Sequence, residues 1–141
     1  MAVTLKTGTD RAAGVEMSET PTATWKTLYA VRVRLVTSAA VATRTLTLVI
    51  DDGANILWQK IAPATQTASL TRDYVFVLPP YTDAGAFDAN NQIVLTLPAI
   101  PMLPGHRIRT LTTNLQAGDD FGAPLLLLNE VGYNEEVVNA F

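Results

Sequence analysis

The sequence predicts an all-β protein, an antiparallel β-sandwich of jelly-roll type with about seven or eight strands. Apolar and polar residues alternate with a period of two through most of the chain, as they do in half-buried strands. Residues typical of turns separate these runs, and no segment demands a helix. A hairpin followed by longer crossings favours a jelly roll over an up-and-down barrel.

The clearest strand covers residues 28–35. Tyr29 and the apolar residues at 31, 33 and 35 are predicted to face the core, whereas Arg32 and Arg34 point to the opposite side. The next two apolar runs, residues 46–50 and 56–60, flank an Asp-Asp-Gly-Ala-Asn segment. Asp-Gly between two such runs predicts that they pair as a β-hairpin.

Four further runs predict strands at residues 73–78, 93–97, 108–112 and 125–128. Val75 and Val77 alternate with aromatic and apolar neighbours, so the first of these strands is expected to be covered on both faces. Prolines at 79 and 80 end it, since proline cannot donate to the ladder. Prolines at 98, 101 and 104 are expected to delimit a segment that crosses between sheets, and residues 125–128 predict a buried final strand.

Changes in composition and periodicity divide the chain into an extended N-terminal arm of residues 1–26, a β-sandwich body of residues 27–131 and a C-terminal tail of residues 132–141. The first region is rich in Thr, Ala and Gly with mixed charges, including Arg11, and shows no sustained period. Trp25 is expected to anchor the arm where it enters the body. The tail carries Tyr133 and Phe141, and we expect it to dock on its own domain or on a neighbour.

Composition restricts the possible classes of protein. The 141 residues are 48% hydrophobic, enough for one domain with its own core. The chain has no cysteine, so disulfides and thiolate metal sites are excluded. Its net charge of −3 and scattered cations argue against general nucleic-acid binding. Neither an export signal nor a membrane-spanning run is recognisable, which predicts a soluble protein.

No catalytic or metal-ligating constellation stands out, and we expect no enzyme activity and no cofactor. His106 is the only histidine and follows a Pro-Gly pair, as a solvated turn residue would. Residues 51–55 lack the spaced acids of a calcium loop. Asp119 and Asp120 could share an ion site, with an ordinary loop as the alternative. A hydrolase would need these acids to converge with Asp83 or Asp88 in one cleft.

Two sets of side chains could bind a partner. Arg32, Arg34, Arg107 and Arg109 could share a sheet face and form a cationic patch, the alternative being an ordinary solvated face. Exposed together, Trp58, Tyr81 and Phe87 would provide stacking platforms for a carbohydrate. The candidate partner-binding residues are Arg11, Trp25, Arg32, Arg34, Arg107, Arg109, Tyr133 and Phe141.

Part of the body resembles a group of small tailed-bacteriophage proteins. Residues 37–44 read Thr-Ser-Ala-Ala-Val-Ala-Thr-Arg between two strands, residues 51–53 read Asp-Asp-Gly, and Leu57-Trp58 follows. Residues 104–109, Pro-Gly-His-Arg-Ile-Arg, are similar to the group's late "Pro-Ala-Gly-x-x-Ile-Arg" strand start. The resemblance covers residues 27–128, and its motifs are turns and strand edges.

The resemblance implies a jelly-roll capsid decoration (cement) protein, which binds the major capsid protein on the outer surface of the shell and stabilises it. Synthesis in the host cytoplasm, a place on the virion exterior and a homotrimeric state are the matching expectations, without a nucleic-acid or membrane partner. The alternatives are a carbohydrate-binding module, or a tail or head-to-tail accessory protein in host recognition.

Overall fold

A computed structural model of the chain describes residues 2–21 and 26–130. Within these residues it contains strands and no helix, and therefore no helix long and apolar enough to cross a membrane. The strands are β1 (Ala2–Thr7), β2 (Ser18–Glu19), β3 (Lys26–Val36), β4 (Thr45–Asp51), β5 (Ile56–Ile61), β6 (Thr71–Val77), β7 (Gln92–Thr96), β8 (Ile100–Met102), β9 (Arg107–Thr113), β10 (Asp120–Phe121) and β11 (Leu125–Glu130).

Eight of these strands form a jelly roll by nested antiparallel pairing. The innermost pair is β4 with β5, followed outward by β3 with β6, β2 with β9, and β1 with β11. Such nesting gives two packed sheets, with the orders β1-β11-β3-β6-β7 and β2-β9-β4-β5. The predicted fold class is confirmed.

All seven predicted strands are present, and the hairpin of β4 and β5 turns at Gly53, whose φ is +96°. The four additional strands are β1, which lies in the region predicted as an arm, and β2, β8 and β10, which are only two or three residues long. One pairing also departs from the antiparallel expectation, since β7 runs parallel to β6. Strand β8 lies in the segment predicted as a crossing, and its Pro101 pairs opposite Thr27 at one end of β3.

The core lies between the two sheets and is lined by alternate residues of each long strand. In β3, for example, Val31, Val33 and Leu35 are fully buried, as predicted. Tyr29 is not among them: a register shift between β3 and β11 places Leu28 in the core instead. The Tyr29 hydroxyl then accepts a hydrogen bond of 2.8 Å from the Asn129 side chain.

A second departure concerns the outer faces of the sheets. In β6, Tyr74 and Phe76 are fully buried, while Val75 and Val77 remain partly exposed. These two valines lie on the face of the larger sheet that points away from the core. The sequence pattern predicted that both faces of β6 are covered. Among the described residues, only the face that points into the core is covered.

The prediction of an N-terminal arm outside the sandwich is wrong for the described residues of this region. Strand β1 pairs with β11 along six residues, and β2 pairs with β9. Between them, Met17 is fully buried and its backbone N–H donates to the Thr110 hydroxyl at 3.0 Å. The region shows no sustained period because the alternation of β1, Val3 and Leu5 with Thr4 and Lys6, is short and β2 has only two residues.

We expect Met17→Ala to reduce the free energy of unfolding by about 2–5 kcal/mol, because it removes a fully buried side chain from the core. Val15→Ala is the matched control: Val15 is exposed, so its truncation should change stability by less than about 0.5 kcal/mol. Urea unfolding measures both. Equal stabilities for the two variants would contradict the placement of this region in the core.

Candidate functional site

A fully buried ion pair stands at the end of the sandwich where β3 leads into β4. The Arg44 and Asp119 side chains are both 0% exposed. The guanidinium donates two hydrogen bonds to the carboxylate, from Nε to Oδ2 and from Nη2 to Oδ1, each at 2.9 Å. Two parallel bonds of this kind are the strongest geometry available to an arginine and a carboxylate. Arg44 joins the start of β4 to the loop that follows β9.

The Asp119 carboxylate also accepts hydrogen bonds from two backbone groups. Ser38 N–H donates to Oδ1 and Gln116 N–H donates to Oδ2, both at 2.8 Å. Burial raises the pKa of Asp119, whereas the hydrogen bonds from Arg44 and from these two N–H groups lower it. Together the hydrogen bonds outweigh burial, and the pKa lies below its ordinary value. Asp119 is thus an ionised structural residue. The suggested ion site shared with Asp120 has no support here, because both oxygens of Asp119 are already occupied.

The remaining donors of Arg44 fix the conformation of the loop before it. Nη1 donates to the Ala42 carbonyl at 2.8 Å, and Nη2 donates to the Ala40 carbonyl at 3.0 Å. Residues 38–43 form this loop, which we call the Val41 loop. Val41 lies between the two fixed carbonyls and is 96% exposed, more than any other large hydrophobic residue described.

A second polar network supports the same end of the molecule from inside. The buried Gln66 amide donates to the Leu35 carbonyl at 2.8 Å and accepts from the Tyr74 hydroxyl at 2.9 Å. The backbones of Gln66 and Arg44 exchange two hydrogen bonds, of 2.9 and 3.0 Å. Burial raises the pKa of Tyr74 well above its ordinary value. Because these buried groups are satisfied, the loops at this end have few alternative arrangements.

The predicted cationic patch does not form. Arg32 and Arg34 lie on β3 in the larger sheet, whereas Arg107 and Arg109 lie on β9 in the smaller sheet. Their side chains leave opposite faces of the sandwich, because in both strands the intervening residues are buried in the core between the sheets. Sequence alone could not separate one sheet from the other.

Three of these four arginines form ion pairs, with two carboxylates between them. Arg34 forms a bidentate pair with Asp73, at 2.9 and 3.0 Å, on the neighbouring strand. Arg107 and Arg109 both donate to Asp51, at 2.8 and 2.5 Å. Hydrogen bonding from Arg107, and to a smaller degree from Arg109, holds the pKa of Asp51 well below its usual range against the opposing effect of burial.

The other predicted binding residues are dispersed. Arg32 is partly exposed and forms no ion pair within the described ranges. Arg11 donates to the Ser18 carbonyl and so covers the edge of β2. Trp25, Tyr133 and Phe141 lie outside the described residues, as does the predicted tail.

The three aromatic residues suggested for carbohydrate binding do not form a common exposed surface. Trp58 and Phe87 pack against the core. Phe87 meets the Tyr74 ring edge-on at 5.2 Å and lies under the Arg72 guanidinium at 4.3 Å. Only Tyr81, with 63% exposure, is open to solvent.

The loop acids and the histidine have local structural roles. Asp83 accepts from the Lys60 ammonium and from Thr96 N–H, both at 2.7 Å, and these bonds lower its pKa to about 2. Asp88 accepts from Asn90 and Gln92 N–H groups in its own turn. His106 closes a turn with Leu103 by accepting its N–H at 3.2 Å. Across the described ranges, no three potential metal ligands lie close enough to hold an ion.

Comparisons of the chain with known protein families, characterised proteins and solved structures give no match. The resemblance to phage proteins therefore stays a prediction from the sequence motifs alone. The structure shows a local role for two of these motifs. The Val-Ala-x-Arg motif places Arg44 in the buried pair, and Asp-Asp-Gly forms the β4–β5 turn.

The Val41 loop is the candidate functional site. It presents an exposed valine between small side chains, an arrangement that favours contact with another surface. The sequence did not predict that the Arg44 side chain holds the loop that exposes Val41. An arginine in an otherwise apolar and small-residue segment was the available signal, but its partner Asp119 is 75 residues away in the chain.

We expect Asp119→Ala to reduce the free energy of unfolding by about 3–5 kcal/mol, because it leaves the Arg44 charge buried and unpaired. The double variant Arg44→Met with Asp119→Leu should recover much of that loss, since it removes both charges and fills the space. Arg34→Ala is the control and should have a small effect, since Arg34 is half exposed. A double variant as unstable as Asp119→Ala would contradict this account.

Stability should also depend on pH through Asp51. Because its folded pKa is lowered, Asp51 contributes stability that is fully present above its unfolded pKa of about 3.9 and is lost as pH falls toward the folded pKa. Unfolding free energies measured by urea titration between about pH 6 and 2 should decline below about pH 4. Asp51→Asn should decline less steeply, and an unchanged slope would show that Asp51 is not a source of the acid sensitivity.

Proposed function

We propose that this protein is a capsid decoration protein of a tailed bacteriophage, which binds the outer surface of the shell formed by the major capsid protein. The observation that carries the proposal is the Val41 loop, an exposed apolar tip whose carbonyls are fixed by a fully buried arginine. The jelly-roll topology and the resemblance to phage proteins at this same motif support it.

The geometry of the loop suits attachment to another protein. A side chain that is already ordered loses little entropy on binding, so more of the contact energy appears as affinity. Burying a valine fully contributes about 1.5–3 kcal/mol relative to leaving it exposed. One such contact is weak by itself. Several copies of the protein in one oligomer would increase the effective affinity, and the homotrimer expected from the resemblance would provide three.

Stabilisation of the shell follows from preferential binding. A ligand that binds only the assembled state lowers the free energy of that state, by an amount that grows with the logarithm of the ratio of ligand concentration to Kd. A decoration protein that contacts adjacent capsid subunits therefore raises the temperature at which the shell dissociates. It needs no catalytic group, and its own rigidity is an advantage.

The test is co-sedimentation with shells that lack the protein. Val41→Asp should weaken binding by about tenfold or more, because it places a charge in the apolar contact, and 96% exposure means that folding is unaffected. Tyr81→Asp introduces the same charge at the opposite end of the sandwich and should bind normally. Thermal unfolding of the free variants controls for stability.

Two results would overturn the proposal. Equal binding by Val41→Asp and the wild type would exclude the Val41 loop as the contact. Failure of the wild-type protein to bind any shell would exclude the decoration function, and glycan binding that is lost in the Tyr81 variant would then favour the host-recognition alternative.

A further inference from the structure

The four sheet edges of the sandwich differ in how they are covered. The edge of β7 is closed by the loop of residues 83–88, whose Ala84 N–H donates to the Val94 carbonyl at 2.9 Å. The edge of β2 is covered at Ser18, whose carbonyl accepts a hydrogen bond from the Arg11 side chain. Within residues 2–21 and 26–130, no backbone group pairs with the outer edge of β1 or of β5.

The two open edges are also the most apolar exposed strands. Of the eleven large hydrophobic residues that are exposed in the described chain, five lie on β1 and β5. They are Val3, Leu5, Ile56, Leu57 and Ile61. The two strands have the same length, six residues each, and neither contains a proline. A long apolar edge of this kind is normally covered by another chain, because it would otherwise promote aggregation.

The open edges lie on opposite sides of the molecule. Strand β1 stands beside β2, as Lys6 donates to the Pro21 carbonyl at 3.3 Å and Thr9 to Glu19. Strand β5 stands beside β7, since the Lys60 ammonium donates to the Thr96 hydroxyl at 2.8 Å. One copy therefore presents two different strand edges facing away from each other.

We propose that β1 of one copy pairs with β5 of the next copy, extending the small sheet of one molecule with the first strand of its neighbour. Backbone hydrogen bonds between the edges provide affinity, and Leu5 and Ile61 become partly buried. The contact joins two different surfaces, so it closes into a ring when the rotation between copies permits. That the ring has three members rests on the proposed function and its expected homotrimer.

This arrangement separates the two contacts of the protein. Copies join through the sides of the sandwich, and the Val41 loops of all copies remain free at one end. Each loop stays held by its own Arg44 and needs no rearrangement when the ring forms. Oligomer formation and shell attachment can therefore be disrupted independently.

The experiment uses two variants of the full chain, Leu5→Asp and Ile61→Asp, with masses measured by analytical ultracentrifugation. Both residues are at least 60% exposed, so each variant should fold, as thermal unfolding will show. The wild type should sediment with three times the mass of the chain, and each variant alone as a monomer. Mixed in equal amounts, the variants should form a one-to-one dimer, because one intact β1 then meets one intact β5.

Other outcomes would overturn the inference. If Ile61→Asp dimerises by itself, the contact is β1 with β1, and if Leu5→Asp does so, it is β5 with β5. A wild-type protein that remains monomeric while binding shells would refute the ring and leave the proposed function intact. A trimer that forms but does not bind shells would do the reverse. Val3→Asp repeats the test of β1 at a second position, and Tyr81→Asp should retain the wild-type mass.

Discussion

The buried pair of Arg44 and Asp119 is the interaction on which the end of the molecule that carries the Val41 loop depends. Moving two charges out of water costs several kcal/mol each, and the cost is offset only where geometry and further hydrogen bonds are close to ideal. Here the guanidinium makes four hydrogen bonds, and the carboxylate accepts two backbone N–H groups in addition. The Asp119 carbonyl also accepts from Gly14 N–H at 2.6 Å. One pair thereby joins the N-terminal segment, the Val41 loop and the loop after β9.

A buried pair of this kind need not add net stability to a fold. Hydrophobic residues of similar size could fill the same space at equal or better stability, but they would not fix the Ala40 and Ala42 carbonyls. The fixed carbonyls keep Val41 in solvent, where an unsupported apolar side chain would tend to fold back. Rigid presentation of an apolar residue is the property that a binding site requires and that a stable core alone does not supply.

Local sequence patterns predicted most of the strands, but they did not predict which distant strands and loops contact each other. Alternation located β3, β4, β6 and β9 because each has one face in the core. It did not single out β1, where the alternation covers only a few residues, and it misplaced Tyr29, where a bulge reverses the side-chain order. The arginine pairs of β3 and β9 were each recognised correctly as outward-facing, but assigning them to one surface required the sheet order. The partner of Arg44 could not be found because sequence spacing carries no information about a contact between two loops.

The nested pairing has a consequence for how the chain reaches its folded state. Strand β11 lies between β1 and β3, and β1 has no other strand partner among the described residues. A growing chain that has not yet reached residues 125–130 can form the β4–β5 hairpin and pair β3 with β6, but it cannot incorporate β1. Until residues 125–130 emerge from the ribosome, the edge of β3 that later pairs with β11 stays open and β1 has no strand to pair with, so the larger sheet is completed only after β11 has been synthesised.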